Sequence, residues 1–369
     1  MKILRVTSDL YPYVVGGVGI HTHEMSSCQI KLGHDVTVFT LVADRETRGN
    51  ETNYNLIKIR KLFTIFGNSV APSLLIKIFL IRNDYDIIHA HSHLFLSTNI
   101  CALVRRFGSA PLIITNHGLI SQTAPMWLQK IFISTIAKWT FKSADKILCY
   151  TDVEKQQLIS LGIRSDKIAV IHNGIDTQLF TPSSQKPGNQ LLWIGRFSHG
   201  KGVEYLIEAF SIFLKSRPDY SLLMIGSGPM KKAIEDQILD RCLTNHIIIK
   251  EFVSNSEIAQ VYQKSQVFIL PSLEEGVPRT ILESMSCGVP IICTNLPQLV
   301  NIVAGAGLLV PVQNATALAE ALTIITSNPE KAKKIGECGR KRVLSSFSWD
   351  DTVKKTLGIY ENLIFNHKK

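Results

Sequence analysis

The residues of this 369-residue chain best suited to chemistry by type and spacing are two glutamates, two cations and a histidine. Glu275 and Glu283 lie eight apart across Glu275-Gly276-Val277-Pro278-Arg279-Thr280-Ile281-Leu282-Glu283. A carboxylate accepts through two oxygens, so the pair suits vicinal hydroxyls such as those of a sugar. Glutamates crowd solvated helix faces, which is the plain alternative. Glu283, however, interrupts an otherwise apolar run, Thr280-Ile281-Leu282-Glu283-Ser284-Met285. The pattern places Glu275 at the start of a helix over 279–287 and Glu283 one to two turns inside it, both facing one ligand. Arg196 and Lys201 stand in Gly195-Arg196-Phe197-Ser198-His199-Gly200-Lys201-Gly202, just before a helical pattern over 203–214. An arginine fork, a lysine point charge and a helix N-terminus together suit a diphosphate, where a solvated basic turn is the alternative. The order is not that of a Walker loop. His117 closes a strand in Asn116-His117-Gly118. There it can donate or accept toward a ligand, unless it is a structural histidine bonded to a loop carbonyl.

Weaker signals accompany these. Gly16-Gly17-Val18-Gly19 follows the first strand and opens a helix over 20–32, which lets backbone N–H groups approach an anion. The stretch fails the dinucleotide fingerprint at Thr22, although Asp44 lies a suitable distance on. Gly226-Ser227-Gly228-Pro229 is another strand-to-helix turn, ambiguous alone. His89, His91 and His93 alternate along a strand, but no further ligand cluster supports a metal, and none is expected.

The elements that must position these residues are parallel strands alternating with helices. Strand patterns fall at 2–7, 35–41, 56–62, 86–91, 112–116, 146–150 and 169–172, then at 191–195, 221–226, 246–252, 267–271, 291–294 and 308–312. Continuous apolar strands such as Leu222-Leu223-Met224-Ile225 fit sheets covered on both faces. About a dozen strands exceed one open sheet. The polar segment 181–190, TPSSQKPGNQ, is the best linker. The expectation is therefore an α/β chain of two doubly wound domains, 1–180 and 190–347, with a helical tail over 348–369 packing on either domain or bridging them. Two such domains in tandem form a cleft, and ligands of open α/β sheets bind beyond the strands' carboxyl ends.

Composition excludes several classes. Seven scattered cysteines, none in C-x-x-C, exclude a disulfide framework and point to a reducing cytoplasm. The start of the chain is charge followed by a strand, without a secretory apolar region. The longest apolar candidate, 62–81, is broken by Gly67, Asn68, Pro72 and Lys77, so no spanning helix is expected. Net charge is +10, and between 52 and 144 ten cations face only Asp84 and Asp86. Such a face attracts nucleic acid, anionic lipid or phosphorylated substrate.

Taken together the motifs resemble the family 4 retaining glycosyltransferases of GT-B fold. The resemblance runs nearly end to end. It covers the first Gly-rich loop, Asp86-Ile87-Ile88-His89-Ala90-His91, Thr115-Asn116-His117-Gly118 and Ile171-His172-Asn173-Gly174-Ile175-Asp176. It continues through Gly195-Arg196…Lys201-Gly202 and Gly226-Ser227-Gly228-Pro229 to Glu275…Glu283 with Cys287-Gly288-Val289-Pro290. It implies two Rossmann-like domains facing across a cleft, with the first holding the acceptor and the second a nucleotide-sugar donor. By that resemblance Arg196, Lys201 and Gly202 meet the diphosphate, Glu283 the ribose, and Glu275, Gly276, Val277 and Thr280 the donor sugar side. Backbone near Val253 meets the base. Gly16 and Gly17 touch the phosphates from the first domain, and His117 bonds the donor sugar near the reacting carbon. His117, Glu275, Arg196 and Lys201 are the expected catalytic set. The family pattern reads Glu-Gly-Phe-Gly where this chain has Glu275-Gly276-Val277-Pro278, and Pro278 has no N–H to offer.

The implied activity is transfer of a sugar from a nucleoside diphosphate to an acceptor, with retention, without metal and without a cofactor beyond the sugar nucleotide. The leaving phosphate takes the acceptor proton, so no glycosidase-type carboxylate pair is needed. Asp84-Tyr85-Asp86 matches the D-x-D string of metal-dependent transferases but precedes a strand, at the wrong end of the sheet. The expected acceptor is a glycan or a lipid-linked or phosphorylated molecule of polysaccharide or glycolipid assembly. An amphipathic pattern over 124–141, with Trp127, Ile131, Lys130 and Lys138, makes an anionic membrane surface a candidate partner of a cytoplasmic, peripheral enzyme. A core-facing helix with solvated lysines is the alternative there. No recognition helix or stacking platform supports nucleic acid. Competing readings are a sugar-nucleotide epimerase of the same fold, a non-catalytic sugar-nucleotide-binding module, and an NAD-dependent oxidoreductase, which the 16–22 stretch does not support.

Overall fold

A computed structural model describes the chain except residues 12, 14–15, 44–51, 66, 120–123, 186, 255–256 and 368–369. Asp44 therefore lies outside the described residues. The strands are β1 (Lys2–Thr7), β2 (Asp35–Val42), β3 (Asn55–Arg60), β4 (Phe63–Ile65), β5 (Asn68–Val70), β6 (Ile87–His91), β7 (Leu112–Thr115), β8 (Lys146–Cys149) and β9 (Ile168–Val170). They continue with β10 (Gln190–Ile194), β11 (Ser221–Ile225), β12 (Ile247–Lys250), β13 (Val267–Leu270), β14 (Ile291–Thr294) and β15 (Gly307–Val310). The helices are α1 (Gly17–Lys31), α2 (Ser73–Leu80), α3 (Leu96–Val104), α4 (Met126–Phe132), α5 (Lys138–Ser143), α6 (Asp152–Ser160) and α7 (Val203–Leu214). After these come α8 (Lys231–Asp240), α9 (Ile258–Lys264), α10 (Arg279–Ser286), α11 (Pro297–Val303), α12 (Ala315–Thr326), α13 (Pro329–Ser346) and α14 (Trp349–His367).

The chain divides into two compact units, 1–174 together with 349–369, and 175–348. The first holds a seven-stranded parallel sheet in the order β3-β2-β1-β6-β7-β8-β9. Its central strands are buried along nearly their whole length because both faces are covered. Leu4, Val6, Ile88 and Ile114 pack with Leu74 and Ile78 of α2, Ala102 of α3 and Phe141 of α5. Ile3, Val38, Ile87 and Ile113 pack with Met25 of α1 and Val353, Leu357 and Tyr360 of α14. The tail helix thus belongs to the first unit, where the Thr352 hydroxyl donates to His172 O at 2.9 Å.

The second unit is a six-stranded parallel sheet, β12-β11-β10-β13-β14-β15. One face buries Trp193 of β10 with Phe210 and Phe213 of α7, and the other buries Phe268 of β13 with Ile281 and Met285 of α10. The division falls at Gly174, ahead of the polar segment 181–190. Residues 175–180 are held by the second unit. Ile175 N–H donates to Phe347 O at 2.8 Å, and Phe180 O accepts from Ser286 at 2.6 Å and Arg340 at 2.7 Å.

Two local readings change. Hairpin β4–β5 has no counterpart among the sequence-expected strands. Gly67, at φ +77°, gives the positive backbone angle a tight hairpin needs. The helix expected over 124–141 is α4 and α5 joined by a π turn over Ile133–Ala137. Of its apolar residues Phe141 is core, whereas Met126, Trp127, Ile131 and Ile136 are exposed. Asp86 sits at the amino end of β6, where its carboxylate accepts from Lys2 N–H at 2.8 Å. Among the described residues no helix is long and apolar enough to cross a membrane, and the seven cysteines are all free.

Candidate active site

In the second unit the strand order reverses between β10 and β13. Loops leaving the carboxyl ends of those neighbours diverge there, which is where doubly wound sheets take ligands. The loop after β10 carries Arg196, Lys201 and Gly202, and the loop after β13 carries Ser272, Glu275, Gly276 and Val277. They are joined closely. Leu273 N–H donates to Gly200 O at 2.8 Å. Gly202 has φ +60°, and a Cβ there would stand 2.1 Å from Pro271 O. Only glycine allows both the turn and this approach.

Lys201 Nζ donates to Glu275 Oε1 at 2.5 Å, and the Ser272 hydroxyl donates to the same oxygen at 2.7 Å. The two charged side chains are 15% and 7% exposed. The loop is braced by Thr294, whose hydroxyl donates to Ser272 O at 2.5 Å, and by Gln298 Nε2, which donates to Glu275 O. Beneath it the Cys293 thiol is pushed up to about 12, first by burial and then by the Glu275 charge. An ammonium has three protons, so Lys201 can hold Glu275 and still donate to an anion. Among the described residues both side-chain bonds to Glu275 reach Oε1, which leaves Oε2 to accept from a ligand hydroxyl.

Glu283 lies inside α10 and is buried. Tyr262 of α9 donates to its Oε2 at 2.9 Å, and Arg279 Nε to its Oε1 at 3.4 Å. The Tyr262 hydroxyl is raised well above the usual phenol range by burial first and the Glu283 charge second. Glu275, expected at the start of the helix, sits instead in the loop before it, because α10 begins at Arg279. Pro278, extended at φ −70°, occupies the N-cap position, where a missing N–H breaks no helical bond. Thr280 lies in the first turn of α10, half-buried like Gly276. Val253 and Val277 are half-buried against the α10 core, and Arg196 is exposed on its turn.

In the first unit the strand order reverses between β1 and β6. His117, after β7, has Nε2 3.2 Å from His91 Nδ1 and Nδ1 3.1 Å from the Tyr150 hydroxyl. His21 of α1 stands edge-on to His117 at 5.3 Å, and its Nδ1 lies 2.8 Å from Asn173 Oδ1. His89 stacks on His91 at 4.5 Å, and both its nitrogens are taken, by Tyr360 at 2.5 Å and Thr115 at 2.7 Å. The fully buried Arg5 donates to Ser26, Gln29 and Tyr360. Burial, followed by Arg5 and the neighbouring histidines, holds His89 and His91 well below the usual range. His117 is lowered by burial and then by His21. Both effects favour the neutral imidazole, which has one donor and one acceptor. The alternating histidines serve a side-chain network, and among the described residues no group of three or more His, Cys, Asp or Glu could hold a metal.

Gly16 caps α1 at φ −175°, and a Cβ on Gly16 or Gly17 would meet nothing within 4 Å. Neither packing nor positive φ demands glycine there. Gly226 and Gly228 differ, since a Cβ would fall 1.8 Å from Gly195 O and 2.4 Å from Phe197 O. An open concavity of about 400 Å³ at the start of α13, lined by Gly305, Asn328, Glu330, Lys331, Lys334 and Ile335, contains none of these residues. The site therefore rests on chemistry at the strand reversal and not on cavity size. Sequence reasoning missed Tyr262, Ser272, Arg279, Gln298, Tyr150 and Arg5. Only the Arg279–Glu283 helical spacing was a signal it could have used.

Two family models match and together span residues 15–342. The one described as Glycosyl transferases group 1 covers 175–342, and the one described as Glycosyltransferase Family 4 covers 15–179. Over 99% of its length the chain is 22% identical to a phosphatidylinositol N-acetylglucosaminyltransferase polypeptide of Arabidopsis thaliana, covering 82% of that protein. Its fold matches sucrose-phosphate synthase from Thermosynechococcus elongatus at a TM-score of 0.85, with 23% identity and 99% of each chain covered. It also matches the Anabaena HepE protein in complex with UDP-glucose at 0.81, with 18% identity over 97% and 99% of the chains. The chain belongs to the family 4 glycosyltransferases and has the two Rossmann-like domains of the GT-B architecture.

Proposed function

We propose that the protein transfers a sugar, with retention and without a metal, from a nucleoside diphosphate sugar to an acceptor of polysaccharide or glycolipid assembly. The observation that carries this reading is the largely buried Lys201–Glu275–Ser272 group at the strand reversal of the second domain. It sets a cation for a leaving phosphate beside a carboxylate for sugar hydroxyls. Arg196, exposed on the same turn, adds a second cation for the diphosphate, and Gly202 lets the backbone turn in beneath it. Glu283, held by Tyr262 and Arg279, accepts from the ribose. Val253 supports the base, and Gly276, Val277 and Thr280 border the sugar. In the first domain His117, fixed by His91 and Tyr150 and shifted by burial toward its neutral form, offers a hydrogen bond to the reacting sugar, and the open glycines at 16 and 17 admit phosphate. The bond between the anomeric carbon and the diphosphate oxygen breaks, and the acceptor oxygen bonds on the same face. Its proton passes to the departing phosphate, whose charge the two cations stabilise. The binding of UDP-glucose by the Anabaena neighbour favours a uridine donor, and the Arabidopsis relative's name favours a lipid-linked acceptor.

Calorimetric titration with UDP, GDP, ADP and NAD tests the donor site. One nucleoside diphosphate should bind, and Lys201→Ala should abolish that binding. Binding of NAD alone would overturn the assignment. Release of an isomerised sugar nucleotide without acceptor would replace transfer by epimerisation, and binding without product on any acceptor would leave a non-catalytic module.

A further inference from the structure

The first domain carries an apolar surface that its fold leaves uncovered. Helix α2 buries Leu74 and Ile78 in the core and turns Ile76, Phe79 and Leu80 outward, with Ile76 64% and Leu80 70% exposed. The exposed Phe107 ring, just past α3, lies 6.0 Å from that of Phe79. The Arg82 guanidinium sits 4.2 Å over Phe79 and donates to Phe107 O at 2.8 Å, which ties the two segments into one surface. Hairpin β4–β5, joined to the start of α3 by the bond from Leu96 N–H to Asn68 Oδ1 at 3.0 Å, adds exposed Phe63 and Ile65. Single exposed apolar residues are ordinary, but six large ones on adjoining elements are not. Lys61, Lys77, Arg82 and Arg106 stand on or beside the same segments. The carboxylates nearest in sequence are exposed Asp84 and half-buried Asp86, the latter taken up by the Lys2 amide.

We propose that this face docks on an anionic lipid bilayer. Apolar side chains with cations on the same or neighbouring segments match an interface whose headgroups are negative and whose next layer is acyl chain. A second copy of the chain would oppose Lys77, Arg82 and Arg106 with the same cations, whereas anionic headgroups complement them. The inference stands apart from the donor chemistry, since every residue in it lies in the first domain.

The full chain is sedimented with vesicles of equal parts phosphatidylglycerol and phosphatidylcholine, and with vesicles of phosphatidylcholine alone, at rising salt. Sedimentation is expected with the anionic vesicles only, and it should weaken with salt. The exposed pair Ile76→Ser with Leu80→Ser should lower partitioning by roughly tenfold or more, and so should Lys77→Gln with Arg106→Gln. Both variants should keep the wild-type melting temperature and UDP binding, which separates lost docking from lost fold. No sedimentation with anionic vesicles would overturn the proposal, as would binding that the Ile76/Leu80 variant retains. A dimer of the free chain that this variant dissolves would overturn it in favour of self-association.

Discussion

Replacing Lys201 by methionine separates its structural work from its work on a ligand. The Lys201–Glu275 pair is 2.5 Å long and largely buried, at 15% and 7% side-chain exposure. Removing the cation leaves a buried carboxylate with only the Ser272 hydroxyl for compensation. Breaking a buried pair costs about 3–5 kcal/mol, and the remaining hydroxyl and partial exposure of Lys201 put this case near the low end, about 3 kcal/mol. For a domain of this size that lowers the melting temperature by about 6–12 °C. Glu275→Gln, which leaves a neutral group of the same shape, should cost less. The double variant should recover about 1–3 kcal/mol relative to the sum, because neither charge is then left alone. Calorimetric melting of the four proteins measures that coupling, and titration with the nucleoside diphosphate measures binding in parallel. Stability should rebound in the double variant while nucleotide binding stays lost, because binding needs the cation itself. Strictly additive stabilities would show that the pair is not coupled in solution and would refute the reasoning from its burial. Rescue of binding along with stability would remove Lys201 from the phosphate site.

Gly202→Ala should destabilise the second domain by about 2 kcal/mol or more, since it needs φ +60° and sets a Cβ 2.1 Å from Pro271 O. Denaturant melts that match wild type would show that the turn relaxes freely. Gly17→Ala should leave the melting temperature within the scatter of a neutral surface change, about ±0.5 kcal/mol, while turnover falls. Unchanged turnover would mean that the open space at Gly17 faces no substrate. The first domain should lose stability in mild acid. Burial lowers the folded pKa of His89, His91, His93 and His117, that of His93 to about 4. The unfolded chain then binds protons that the folded chain refuses, so stability is complete above pH about 6.5 and is lost as pH falls toward the folded values. His93 alone should account for about 3 kcal/mol of this by pH 4. Denaturation curves across that range should show a shallower acid limb for His93→Gln, and an equal slope would refute the assignment.

Much of the architecture was legible because parallel strands buried on both faces must be largely continuous apolar runs, and most of the thirteen strands described in the two main sheets are such runs. Hairpin β4–β5 was not legible, since a half-exposed apolar stretch around Gly67 reads equally as a broken helix. Nor was the division at Gly174. The polar composition of 181–190 marks solvent exposure, whereas the division depends on what Ile175 and Phe180 pack against.

Residue types and spacing alone determined the chemistry on offer, with carboxylates at 275 and 283, cations at 196 and 201, and a histidine between a strand and a glycine at 117. They also determined the order of elements that carries it, because hydrophobic period and turn residues act over a few neighbours. Only the tertiary structure decided which of these groups meet. Lys201 and Glu275 are 74 residues apart and become partners because β10 and β13 are neighbours at the reversal of the sheet. Tyr262 reaches Glu283 because α9 packs against α10, and His117 is fixed by His91 and Tyr150 because β6, β7 and β8 run side by side. Partnership between distant side chains follows from strand order, which no local pattern encodes.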